Sequence, residues 1–394
     1  MKIPQELINI IINEIQLSGE REPFIIYRDE SALLLETLRS CALVARAFVQ
    51  PAQLRLFSAV GVDDDPPGSS AQFSAHLKAC PHLASYVRHL HVLYSWLSYE
   101  PVAHILSSLP NLEELDIYPL SDKWQYYVWI GYPAHLLTSF LRAFSLPNLR
   151  RVSMALHIFT DAVELHSLLV NAVRLKVLGL RYIKFQNATL HVTAAISATP
   201  RVVLDSLELR DLDAEAVDSM MHSFTTIDIT HLQSLELLDT PITALLRANA
   251  GTLQQIKVLS DSSESHVRHS SEPVDSDILA GDNKLRSIHL HATNSPALDT
   301  LIRLFGNLDN LKVLQTMMLA VSRNIRATDQ PIWRNVDAAL SRLGDTLKEV
   351  KVYVYKSKGQ RGQQADNPLN SQEALKRWMT LLAERRILQI YSES

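Results

Sequence analysis

The chain has 394 residues, 47% of them hydrophobic, enough for a large core in one elongated domain or two compact ones. A net charge of −4 supplies no bulk field to recruit nucleic acid or an anionic membrane, and two cysteines exclude a disulfide framework and fit a reducing compartment. Eleven glycines are few for the phosphate loops of a nucleotide-binding α/β enzyme.

In chain order, the first predicted element starts at Ile3-Pro4-Gln5-Glu6-Leu7. Proline suits the first turn of a helix, and Glu6 meets the positive end of the helix dipole there. Only Lys2 precedes this turn and no uninterrupted apolar run follows, so no signal peptide is expected. Ile3, Leu7, Ile8, Ile11, Ile12 and Ile15 recur at steps of three and four, which predicts one shared apolar face. A second helix is expected from an N-cap near Ser31, with Leu34, Leu38, Cys41, Ala45 and Phe48 on one side, stopping before Pro51. So few residues make a poor core alone, so part of this surface is expected to face something else.

These residues resemble the F-box. That family's pattern is an apolar residue, Pro, x, Glu, Leu and Ile-rich helical steps, then a Ser/Cys, Leu-Val, Arg/Lys and aromatic series. Ile3, Pro4, Glu6, Leu7, Ile11 and Ile12 match the first half, and Cys41, Leu43, Val44, Arg46 and Phe48 the second. The gap from Gln16 to Glu36 is longer than usual, and Phe48 stands where many members have Trp. The resemblance implies docking on the Skp adaptor of cullin-RING ubiquitin ligases through Pro4, Leu7, Ile8, Ile11, Ile12, Val44 and Phe48. The alternative is a helical hairpin that packs on the next domain and caps it.

Residues 1–60 thus read as a helical module, and the polar, turn-rich 61–79 as a linker. From residue 80 to 394 a pattern L-x-x-L-x-L returns. It runs through Val87-Leu90-Val92, Leu112-Leu115-Ile117, Leu149-Val152-Met154, Leu175-Leu178-Leu180 and Leu204-Leu207-Leu209. It continues through Leu232-Leu235-Leu237, Leu253-Ile256-Val258, Leu285-Ile288-Leu290, Leu311-Leu314-Thr316 and Leu347-Val350-Val352, and Leu388-Gln389-Ile390 is a candidate closing strand. Steps between units run from 21 (Leu232 to Leu253) to 37 (Leu112 to Leu149). Between them lie helical patterns, such as Val102 to Leu109, Leu136 to Phe144, Ala162 to Leu169, Ala216 to Met221, Leu298 to Phe305 and Leu375 to Leu382.

The series resembles the irregular, longer leucine-rich repeats that often follow an F-box in fungal-type proteins. The expected fold class is α/β: a small helical module followed by a leucine-rich-repeat solenoid, a curved parallel sheet lined by helices. Residues 260–282, 320–334 and 356–370 break the rhythm and read as surface extensions.

No motif for catalysis holds. Gly-x-Ser-x-Gly, a phosphate loop, Gly-x-Gly-x-x-Gly and His-Glu-x-x-His are all absent, and the cysteines are too few for a zinc site. The pairs His89/His91 and His289/His291 could each chelate from one strand face, but neither has a third ligand nearby in sequence. No cofactor, metal or enzyme activity is expected. No apolar run approaches about twenty residues without a charge, so no membrane span is expected. The repeat offers a surface instead. With the consensus residues in the core, His91, Asp116, Ser153, Glu208, Glu236, Lys257, His289, Gln315 and Lys351 point to the concave sheet face, the expected contact for a protein target. Taken with the resemblance, this predicts a cytoplasmic or nuclear substrate-recognition subunit of a Skp–cullin–F-box ligase. The other reading is a non-enzymatic leucine-rich scaffold.

Overall fold

The computed structural model describes residues 4–14, 28–63, 68–94, 99–119, 127–187, 202–224, 227–238, 243–249, 251–260, 284–292, 311, 313–322, 329–355 and 368–392. The chain is a mixed α/β protein of two compact units, Met1–Thr160 with Glu164–Leu175, and Asp161–Val163 with Lys176–Ser394.

The first unit opens with three helices, α1 (Gln5–Glu14), α2 (Arg28–Val44) and α3 (Arg46–Ser58). They close on a small core of Ile8, Ile12, Leu38 and Ala52, with Cys41, Ala42, Phe48 and Leu56 packed against it. The single apolar face expected of the first helix is divided. Ile8 and Ile12 are 2% and 1% exposed, whereas Leu7 and Ile11 remain 50% and 48% exposed. At 100° per residue, Leu7, Ile8, Ile10, Ile11 and Ile12 wrap most of the helix, and one partner can cover only part of it.

The expected stop before Pro51 is also displaced. The break comes at Ala45, in extended conformation, and Pro51 lies inside α3. Proline lacks the N–H that would bond the carbonyl of Ala47 four residues back. Gln5 supplies the donor instead, its Nε2 reaching Ala47 O at 3.2 Å.

α3 runs directly into β1 (Ala59–Asp63), which pairs in parallel with β2 (His89–Tyr94). Within 61–79, read as a linker, residues 61–63 finish β1 and Ser69–Ala79 form α4, which buries Ser70, Ser74 and Leu77, while 64–67 lie outside the described residues. Val60-Gly61-Val62 is too short an alternation to read as a strand without its neighbour. β2 then pairs with β3 (Glu114–Pro119), and β3 with β4 (Arg151–Ala155), all parallel, with α5 (Tyr99–Ser108) and α6 (Ala134–Phe144) between them. Tyr94, Trp129, Tyr132, Phe140, His157 and Phe159 form an aromatic cluster. At its centre Tyr94 donates to Tyr132 Oη at 2.7 Å and lies 3.2 Å from His157 Nε2. The helix α7 spans Ala162–Leu169.

The second unit is a parallel run of eight strands. They are β5 (Val177–Arg181), β6 (Ser206–Arg210), β7 (Ser234–Leu238), β8 (Gln255–Ser260), β9 (Ser287–Ala292), β10 (Thr316–Ser322), β11 (Glu349–Tyr355) and β12 (Leu388–Ser392). Leu207, Leu209, Leu235 and Leu237 are buried, and Glu208 and Glu236 face the other side, as the alternation predicts.

A hydrogen-bond rung recurs between neighbouring strands. The carbonyl before one strand accepts from two successive N–H groups of the next unit: Asp205 O from Gln233 and Ser234, Gln233 O from Gln254 and Gln255, and Arg286 O from Gln315 and Thr316. Residues in left-handed conformation, Leu156, Tyr182 and Asp211, turn the chain at three strand ends.

This rung also corrects one frame. Leu314, not Leu311, is the first leucine of its repeat, so Met317 and Leu319 enter the core and Met318 takes the outward position given to Gln315. Leu311 sits in the preceding turn, its carbonyl accepting from Leu314 N–H. Two spaced leucines fitted the pattern one turn too early.

Within 320–334, read as an extension, residues 320–322 complete β10 and residues 330–334 begin helix α10 (Gln330–Ser341), whose Trp333 is fully buried, while 323–328 lie outside the described residues. The Leu375–Leu382 pattern divides into α11 (Pro368–Trp378) and α12 (Thr380–Glu384) at Met379, while α8 (Ala214–Ser223) and α9 (Thr243–Asn249) are single helices. Residues 368–370, read with the polar segment 356–370, belong to α11. Residues 261–283, 356–367 and the Leu298–Phe305 helix lie outside the described residues.

Candidate interaction surfaces

Three surfaces carry the residues singled out in the sequence. On the helical module, Pro4, Leu7, Ile11 and Val44 are exposed, and so are Ile10 and Leu43. Ile8 and Ile12 belong to the module's own core and Phe48 is half-buried, so these three support the surface and are not its contacts. The Gln5–Ala47 bond holds the first turn of α1 against the corner where α2 ends and α3 begins, beside Val44. Ile10 lies about 160° round the helix from Ile8 and Ile12, away from the face that the helices' own core covers.

On the first unit's sheet, strand register sets His91, Asp116 and Ser153 side by side. His89 Nδ1 lies 2.9 Å from Glu114 Oε2, and His91 Nδ1 lies 3.7 Å from Asp116 Oδ2, with Tyr118 against the His91 ring. The two histidines thus meet carboxylates one strand away. Ser153 is only 1% exposed and shares a 2.9 Å hydrogen bond with Tyr118 Oη, which removes it as a target contact.

On the second unit's sheet, register aligns Glu208, Glu236, Lys257, His289, Met318, Lys351 and Gln389 in one row. Like charges at Glu208 and Glu236 would repel, but each meets a cation. Arg181 Nη2 lies 3.6 Å from Glu208, Arg210 bonds Glu236, and Lys257 Nζ reaches Glu236 at 3.3 Å. Burial pushes the Glu236 carboxyl up, but Lys257 and Arg210 outweigh it and hold the group below its ordinary value. His289 is pushed down, first by burial and then by Lys257 against an opposing pull from Glu236, with Lys351 adding to the push; it is therefore neutral near pH 7.

Glu236→Ala is expected to destabilise by about 1–2 kcal/mol, because it strands two partly buried cations. Glu349→Ala, which releases Lys351 to water, should cost about 0.5 kcal/mol or less. The folded carboxyl of Glu236 titrates below its ordinary 4.5, so its contribution is complete above that value and is lost as pH falls through the folded one. Urea titrations should show the gap between wild type and Glu236→Gln closing on acidification; a gap that widens would refute the ion-pair account.

Beside this row runs a second, which continues from Arg210: Leu238, Leu259, His291, Ala320, Tyr353 and Tyr391, in direct register. Tyr353 stacks on Tyr391 at 4.9 Å, and His291 on Tyr355 at 4.7 Å. The signal was the two-residue alternation of Lys351-Val352-Tyr353-Val354-Tyr355, but its neighbours needed the correct frame at Met318.

Among the described residues no cluster of three or more His, Cys, Asp or Glu could hold a metal ion, and no helix is long and apolar enough to cross a membrane. No family model matches the chain, and no curated protein sequence matches it either.

Proposed function

We propose that the chain is a substrate-recognition subunit of a Skp–cullin–F-box type ubiquitin ligase, cytoplasmic or nuclear. The helical module binds a Skp adaptor, the repeat sheet holds a protein target, and the chain itself makes and breaks no bonds. The observation that carries the reading is the division of α1. Ile8 and Ile12 complete the module's own core, while Leu7 and Ile11 stay half-exposed beside Pro4. An exposed apolar patch of this kind marks a partner site in soluble proteins.

The scaffold reading retains one observation. α3 enters β1 without a spacer, and Arg88 N–H bonds Ser58 O at 2.9 Å, an arrangement that suits a cap. A cap, however, would bury Leu7 and Ile11.

The test is capture of purified Skp adaptor by the full chain and by Leu7→Glu/Ile11→Glu. The wild type should bind, and the double variant should lose at least about tenfold in affinity while keeping its circular dichroism, because the new charges stay in water until the adaptor arrives. Adaptor binding that survives the double variant, or is absent from the wild type, sinks the reading. Unfolding of the double variant favours the cap.

A further inference from the structure

The two aligned rows on the second unit's sheet differ in kind. One is charged and polar, Glu208 to Gln389; the other is apolar and aromatic, Leu238 to Tyr391. The apolar row crosses six strands, β7 to β12. Five spacings of about 4.8 Å make it about 24 Å long, the reach of roughly seven extended residues. Its members are partly or fully exposed. In the adjoining row, Glu236 faces two cations, Arg210 and Lys257, and Lys257 and Lys351 stand on either side of His289. Among the described residues of this face the cations Arg181, Arg210, Lys257 and Lys351 outnumber the carboxylates Glu208, Glu236 and Glu349 by one.

We propose that this face receives an extended acidic peptide segment laid across the strands, with carboxylates toward Lys257, His289 and Lys351 and alternate aromatic or aliphatic side chains on the Leu259–Tyr391 row. This deepens the target-binding half of the function proposed above and rests on that reading. An extended chain points successive side chains to opposite sides, which matches two parallel rows of opposite character. Cations beside stacked rings also suit single-stranded nucleic acid. The carboxylates of Glu208, Glu236 and Glu349, interleaved among the cations, oppose a continuous phosphate backbone and favour the peptide. Burial is the first cause that holds the His289 imidazole down, and Lys257 and Lys351 add to it; an incoming carboxylate would relieve the lysines' share.

The probes are fluorescent random copolymers of glutamate with tyrosine and of lysine with tyrosine, polyglutamate alone, and oligouridylate, each titrated against the full chain by anisotropy. Glutamate–tyrosine copolymer should bind at least about tenfold tighter than the other three. Lys257→Gln/Lys351→Gln should weaken it about tenfold, and Tyr353→Ser/Tyr391→Ser severalfold, with adaptor capture unchanged in both. Equal binding of the lysine copolymer or of oligouridylate overturns the proposal, as does full binding by the lysine-to-glutamine variant. Peptide binding without adaptor capture would leave this site standing and remove the ligase reading; adaptor capture without peptide binding would do the reverse.

Discussion

Asp337→Ala is expected to destabilise the chain by about 2–5 kcal/mol, more than any surface change described above. Asp337 lies on α10 and is 3% exposed. Its carboxylate accepts from Leu381 N–H at 2.9 Å and Leu382 N–H at 3.0 Å. Those are donors in the first turn of α12, whose own N-cap residue, Met379, offers no side-chain acceptor. A helix start leaves such N–H groups without partners inside the helix, and a carboxylate there also meets the positive end of the dipole. Alanine would leave both N–H groups without this acceptor, that of Leu382 in a buried setting beside Met379. Asp337→Asn keeps one acceptor oxygen and should cost roughly half as much. Arg385, bonded to Ser341 O and Gly344 O, holds α12 to α10 from its other end, so the loss should open α12 before the rest of the sheet. Urea unfolding gives the magnitude. Hydrogen exchange at Leu381 and Leu382 gives the place, and unchanged protection there in the alanine variant would refute the capping role.

Asp337 also illustrates what the sequence carries and what it does not. The repeat strands were legible because Leu207-Glu208-Leu209 and Leu235-Glu236-Leu237 alternate with period two and bury one face each. Period alone could not choose between Leu311 and Leu314 as the frame, because both are apolar; the two N–H groups bonded to Arg286 O settle it. Nor could it divide α1, where apolar residues wrap the helix and only the α2–α3 partner decides which are covered. β1 needed β2 beside it to be recognised. Asp337 meets its donors more than forty residues away, so nothing local announces it. The Leu238–Tyr391 row is of the same kind: six residues on six strands, ordinary one by one and a surface only in register.

Acidification should weaken the fold well before its carboxylates titrate, because of His157. The ring is fully buried in the aromatic cluster, and burial pushes its imidazole down to about 3, the Ala155 backbone opposing only part of the shift. The neighbouring phenols of Tyr94 and Tyr132 are pushed up by burial and stay protonated. The folded imidazole is therefore neutral across the physiological range. Unfolding releases it to its ordinary value of 6.5, where it takes up a proton as pH falls. Between about 6.5 and about 3 the unfolded chain binds one proton more than the folded chain, so stability is complete above that window and declines on acidification. By about pH 5 the loss from this one residue should be about 2 kcal/mol. His157→Gln, which has no charge to gain, should lower stability at neutral pH by disturbing the rings packed on His157, yet should lose less on acidification than the wild type does. Other histidines whose values burial lowers, such as the half-buried His166, titrate identically in both chains, so the difference isolates His157. Urea midpoints at pH 7, 6 and 5 decide it: converging curves support a buried neutral imidazole, and parallel curves mean that water reaches His157 in the folded chain.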